Sequence, residues 1–157
     1  MSTELRPHMG DFNSIVCFKA VVVGMEKTLG PQAALVGLLA AGRARGDEVV
    51  TSLGLKGRGI RDGEAIRAAL DAALGKDGTR LCGVERVEFS GDTVRVALSE
   101  TVCSAGEPQG SPRTLSFTMG AVQGAIEGVT GLKLKGKQVE SVLRGGQYDV
   151  IEFAPRV

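Results

Sequence analysis

Few side chains in this 157-residue sequence could do chemistry, and their spacing argues against most of it. The lone histidine, His8, stands near the N-terminus, so a histidine-based triad, metal cluster or general base would have to use that one residue. Glu85, Glu88 and Glu100 fall on or beside predicted strands with no partner carboxylate for acid–base work. Cys17, Cys82 and Cys103 are odd in number and far apart, with no C-x-x-C spacing. That pattern fits reduced thiols better than a disulfide framework or a zinc site. Cys17 sits in a segment apolar nearly all round and reads as a small buried hydrophobe. Cys82 has only Arg80 close by, which is little to make a reactive thiolate. The expectation is a protein that is not an enzyme, with no catalytic residue, no metal and no cofactor.

Two stretches could meet an anion. Gly57-Arg58-Gly59, with Gly63 beyond, has the glycines of a phosphate loop. It follows a predicted helix where a dinucleotide fingerprint follows a strand, and its spacing matches neither phosphate motif. Arg58 reads either as the partner of an anionic head group or as part of a solvated connector. Lys133, Lys135 and Lys137 alternate and so project from one face. They form a solvated rim or a contact for a membrane surface or an acidic partner.

The positioning elements start with 115–132, LSFTMGAVQGAIEGVTGL. Leu115, Met119, Val122, Ile126 and Val129 make one apolar stripe of a helix. Gly120, Gly124 and Gly128, four apart, make a second stripe of small residues. Each glycine in a helix costs roughly 1 kcal/mol against alanine, so close packing of another backbone must offset about 3 kcal/mol. Thr114 or Ser116 can cap this helix and Gly131 can end it.

Ahead of it, a loose lead-in (1–10) gives way to a helix capped by Asp11 or Asn13 and running to Leu29. Residues 15–23 are apolar on more faces than one small domain can cover, which points to a homodimer through Ile15, Phe18 and Val22. Gly30-Pro31 starts a second helix that continues to Leu53 or breaks near Gly46. Asp62 caps a third, in which Ile66, Ala69, Leu70, Ala73 and Leu74 share a face that ends at Gly75. A hairpin follows, slipping near Gly83 and turning at Ser90-Gly91-Asp92. Beyond the glycine-striped helix, 138–144 and 148–153 read as two short strands around Gly145-Gly146. The order is α-α-α-β-β-α-β-β, an α+β domain over 11–157 whose antiparallel sheet is covered by helices.

Nineteen basic against eighteen acidic residues leave a net charge of +1, too little to recruit nucleic acid. Aromatics at 4% with no Trp leave no stacking platform for bases. The longest apolar run, 33–42, is about half the length of a membrane span, and the N-terminus lacks a secretion signal, so a cytoplasmic location is expected.

The C-terminal third resembles the small core subunits of the TRAPP vesicle-tethering complex and the wider 4-vinyl-reductase-type ligand-binding superfamily. The residues that carry it are 120–127, GAVQGAIE, then 137–145, KQVESVLRG, then 148–153. The palmitoylated TRAPP subunit is most similar, with weaker likeness through Gly57-Arg58-Gly59 and the third helix. The resemblance implies a four-stranded antiparallel sheet with helices on one side, dimerisation through the first two helices, and a hydrophobic tunnel among the helices. In the family a Gly-Arg-Cys cysteine carries a fatty acyl chain in that tunnel. Gly59 stands at that place here, so no thioester can form there; of the superfamily's cysteines only Cys103 finds a match. The expected tunnel lining is Ile66, Leu70, Met119, Val122 and Ile126, with Arg58 and Gly59 at the mouth. The implied function is reversible binding of a lipid, acyl chain or tetrapyrrole, cytoplasmic or peripheral to a membrane. The other reading is an assembly scaffold with a self-filled core that docks partner proteins near membranes.

Overall fold

A computed structural model describes residues 5–157. The elements are helices α1 (Ile15–Leu29), α2 (Pro31–Ser52) and α3 (Gly63–Leu74), strands β1 (Gly83–Ser90) and β2 (Thr93–Ser99), helix α4 (Phe117–Thr130), and strands β3 (Leu134–Glu140) and β4 (Asp149–Pro155). The strands form one antiparallel sheet in the order β1-β2-β4-β3. The fold is α+β, with the element order expected from the sequence. The first four residues of the expected lead-in lie outside the described residues.

One face of the sheet is dry. Val94, Val96, Leu98, Ile151 and Phe153 are fully buried and share a core with Ile66, Leu70 and Leu74 of α3 and the apolar stripe of α4. Burying each such side chain is worth roughly 1.5–3 kcal/mol. The alternate residues Arg95 and Glu152 lie on the solvent side as a loose pair 3.8 Å apart.

Helix α4 is sandwiched between the sheet and α2, and ten of its fourteen residues are buried, far more than one apolar stripe accounts for. On the sheet side Gln123 Nε2 donates to the Leu134 carbonyl at 2.8 Å, and Glu127 Oε2 accepts from the Leu134 N–H at 2.7 Å. On the other side the small-residue stripe meets α2 backbone to backbone. A Cβ at Gly120 would stand 2.4 Å from the Leu39 carbonyl oxygen, and one at Gly124 2.2 Å from that of Arg43. The α2 glycines answer in kind: a Cβ at Gly42 would stand 2.2 Å from Phe117 O, and one at Gly46 2.1 Å from Ala121 O. Gly128 closes the row against the Val50 side chain. Arg43 and Glu127 tie the two helices with an ion pair of 2.9 Å.

The structure settles several boundaries. Asp62 caps α3 by accepting from the Ala65 N–H, and Gly131 ends α4 in the left-handed conformation at φ +78°, both as expected. Ser14, rather than Asp11 or Asn13, caps α1, accepting from the Val16 N–H at 3.1 Å. Ser116 precedes α4 but makes no side-chain cap; its Oγ lies 3.6 Å from Cys103 Sγ. Helix α2 passes Gly46 unbroken because that glycine faces α4. The slip in β1 is a register shift between Val84 and Arg86.

Strand β3 starts four residues earlier than its sequence pattern suggests. Residues Val142–Arg144, expected as strand, form a 3-10 turn instead. The reason is the buried carboxylate of Asp149, which accepts from the Val142 N–H at 3.1 Å, while Ser141 Oγ accepts from the Leu143 N–H. Asp149 also accepts from Thr101 Oγ1 at 2.6 Å and Ser104 Oγ at 2.8 Å. This carboxylate thus fixes the loop after β2.

Candidate functional site

An open cleft of about 660 Å³ lies where α1 begins. Its walls are Phe12, Ile15 and Phe18 from the α1 end, Phe117 from the head of α4 and Leu74 from the end of α3, with Leu81 and Val102 from loops. Three of the chain's five phenylalanines converge here, and the Phe18 and Phe117 rings meet edge to face with centroids 5.1 Å apart. The volume falls in the range of roughly 300–1,000 Å³ typical of small-molecule sites. Each wall has a structural anchor. Leu81 donates its N–H to the Leu74 carbonyl at 2.8 Å, which folds the 79–81 turn back on α3. Val102 is held by the Asp149 hub on either side of it, through Thr101 and Ser104. The polar groups at the rim are Asn13, Ser14, Thr79, Arg45 and Arg80.

The α1 wall is held by charges as much as by packing. Lys19 Nζ donates to the carbonyls of Cys103 and Ala105 at 2.7 and 2.9 Å and pairs with Glu107 at 3.2 Å. Arg113 bridges Glu107, at 2.9 Å, and Glu26. Bonding from Arg113 above all, then from Ser111 and Lys19, holds the Glu107 carboxyl down at about 2 against some opposing desolvation. The two carboxylates and two cations balance one another and clamp α1 to the 103–113 loop.

The residues singled out in the sequence fall in different places. Ile66, Leu70, Met119, Val122 and Ile126 do come together, but as side chains packed in the main core, each no more than 7% exposed. Arg58 and Gly59 are exposed at the opposite end of α4: the N–H groups of Gly57 and Gly59 donate to the carbonyls of Gly128 and Val129, each at 2.8 Å. That is about 17 Å along the helix from Phe117. None of these seven residues lines the cleft. Val22 is corrected as a dimer contact, because it is fully buried against Ala34 and Leu38 of its own chain. Ile15 and Phe18 are turned to the cleft. Cys17, expected inside, is exposed, whereas Cys82 and Cys103 are buried. Burial pushes the Cys82 thiol up to about 12, so it stays protonated. Lys133, Lys135 and Lys137 are all exposed along β3.

The lining comes from separate stretches of the chain, so no spacing or motif marks the cleft in the sequence. Clustering of phenylalanines around the start of α1 was the one available hint.

No protein-family model matches this chain, and no curated protein sequence matches it. Solved structures do. The phenol-responsive sensory domain of the transcription activator PoxR, solved with phenol, superposes with a TM-score of 0.68 at 12% identity, over 92% of this chain and 75% of that one. The likeness is one of fold. A trafficking protein particle complex subunit 3 from Naegleria fowleri, covalently bound to palmitic acid, superposes with a TM-score of 0.58 at 14% identity, over 91% of this chain and 93% of that one. The expected TRAPP-like architecture is therefore present at the level of fold. No described helix is long and apolar enough to cross a membrane.

Proposed function

We propose that this chain is a ligand-binding module that holds an apolar small molecule non-covalently and works as a homodimer. The observation that carries the reading is the cleft of about 660 Å³ walled by Phe12, Phe18 and Phe117. Two solved proteins of the same fold each hold a small apolar or aromatic molecule, which supports a binding role over catalysis. No cysteine among the described residues lines the cleft, which favours a reversible ligand over an acylated one. Native mass spectrometry with organic extraction of the purified protein tests this. A releasable ligand, lost when Leu81→Trp and Val102→Trp fill the cleft, is the expected result. A ligand retained by the filled variant would overturn the location.

The dimer face proposed is the outer side of the α1–α2 pair. Val16, Val21 and Val36 are 73%, 54% and 69% exposed, and Gly24 has open space at its Cβ. Val16, Ala20 and Gly24 fall four apart on α1, a smooth row suited to a close helix contact. The same face favours a second reading, an assembly scaffold whose partner is a different protein. Analytical ultracentrifugation of the pure chain separates the two: a dimer at micromolar concentration supports the first, and a monomer supports the second.

A further inference from the structure

We infer that the ligand of this cleft is an aromatic carboxylate, its ring among the phenylalanines and its acid group on Arg45 and Arg80. The inference rests on the reading of the cleft as a ligand site and adds the chemistry of its head group. Among the described residues Arg45 and Arg80 are the charged members of the lining, with no aspartate or glutamate beside them. A cleft whose walls are apolar and whose rim carries two cations favours a ligand with an apolar body and one negative end.

Both guanidinium groups are poised to accept such a partner. Arg80 donates its Nε to the Lys76 carbonyl at 3.0 Å, which steadies the side chain and leaves its terminal nitrogens for a carboxylate. Among the described residues Arg45 has one exposed contact, with Glu48 at 3.3 Å, both side chains more than 40% in solvent, so exchanging it for a ligand carboxylate costs little. Arg80 also holds φ at +60°, a conformation in which glycine is the less strained residue. Helix α1 begins in the cleft at Ser14–Ile15, so its positive dipole end adds to the same potential. The three phenylalanine rings, in a chain with one tyrosine and no tryptophan, select a planar body over a flexible one.

Isothermal titration calorimetry with naphthalene-2-carboxylate and its neutral isostere naphthalene-2-carboxamide tests the inference, because the pair differs in charge and hardly in shape. The wild-type protein is expected to bind the carboxylate roughly tenfold or more tightly than the amide, with the gap narrowing as salt rises. The double variant Arg45→Gln, Arg80→Gly is expected to bind both equally and to keep its thermal midpoint, since glycine relieves the positive φ. Equal binding of the two compounds by the wild type would overturn the head-group assignment and leave the cleft standing as a ligand site. A carboxylate preference that survives in the double variant would overturn the role of the two arginines. Saturable binding of neither compound at millimolar concentration would overturn the aromatic-acid inference, and an empty protein in the extraction experiment above would then remove the cleft reading as well.

Discussion

Helix α2 meets α4, and helix α1 meets the rest of the molecule, by opposite means. At the first contact Gly42 and Gly46 of α2 and Gly120 and Gly124 of α4 each lie against the facing backbone, so close that an added methyl group would stand 2.1–2.4 Å from a carbonyl oxygen. At the second, Val22 packs on Ala34 and Leu38 of α2 and long side chains do the rest: Lys19, Glu26, Glu107 and Arg113 in an ion-paired cluster, and two phenylalanine rings edge to face. Small residues bring backbones together and leave no room between them. Long ones hold a helix at a distance and leave a cleft behind it. The cleft walled by Phe12, Phe18 and Phe117 opens where α1 is held by such long side chains.

The sharpest way to break the comparison is at Gly124. Helix propensity alone would make Gly124→Ala stabilising by about 1 kcal/mol. The contact with the Arg43 backbone predicts the opposite sign, a loss of about 1–3 kcal/mol or more, with Gly124→Leu worse still. Urea denaturation midpoints decide between them, and an unchanged or raised midpoint for the alanine variant would mean the helices are not in backbone contact.

At the α1 side the effects are smaller. Phe18→Ala removes one ring of the edge-to-face pair and is expected to cost about 1–3 kcal/mol, short of a fully buried phenylalanine because this one is partly exposed. Loss of stability comparable to that of Gly124→Leu would mean that α1 is as tightly packed as α2.

Glu107 gives a pH signature. Its carboxyl sits at about 2 in the folded chain against an ordinary 4.5. A depressed carboxylate contributes stability that is complete above the ordinary value and is lost as pH falls from there toward 2. Glu107→Gln should therefore cost on the order of 1 kcal/mol at neutral pH and flatten the acid limb of the stability profile between those values. Thermal melts of the two proteins across pH 2–5 check it; an identical acid limb would show the network to be solvated.

Val21→Glu should leave the folded chain almost unaffected, within about 0.5 kcal/mol, because Val21 is an exposed residue on the outer face of α1. It should nonetheless dissociate the proposed dimer in sedimentation. A dimer that survives the substitution would move the interface elsewhere.

What the sequence made legible follows the same division. Gly120, Gly124 and Gly128 announced a close backbone contact, because three glycines four apart in a helix have few other uses. Of their counterparts Gly42 and Gly46, the second also fits a break in the helix, since a glycine there signals weakness and contact alike. Strand β3 was missed at its start because Lys133, Leu134, Lys135 and Gly136 lack the β-branched residues that mark a strand; β4 and Gln123 recruit the segment through tertiary bonds. The 3-10 turn at Val142–Arg144 depends on Asp149, a buried carboxylate whose four donors come from three separate segments. The cleft escaped notice for the same reason. Arg45, Arg80, Leu81 and Val102 are distant in sequence, and no periodicity links them.

The central claim is that ligand occupies the cleft at the head of α1 and α4, not the core beneath α4. Backbone amide shifts recorded by NMR during titration with naphthalene-2-carboxylate test it directly. The account predicts that the largest changes fall at Ser14, Phe18, Arg80, Leu81 and Val102. Largest changes at Ile66, Leu70, Val122 and Ile126, with the cleft residues still, would contradict it and place the ligand in the core.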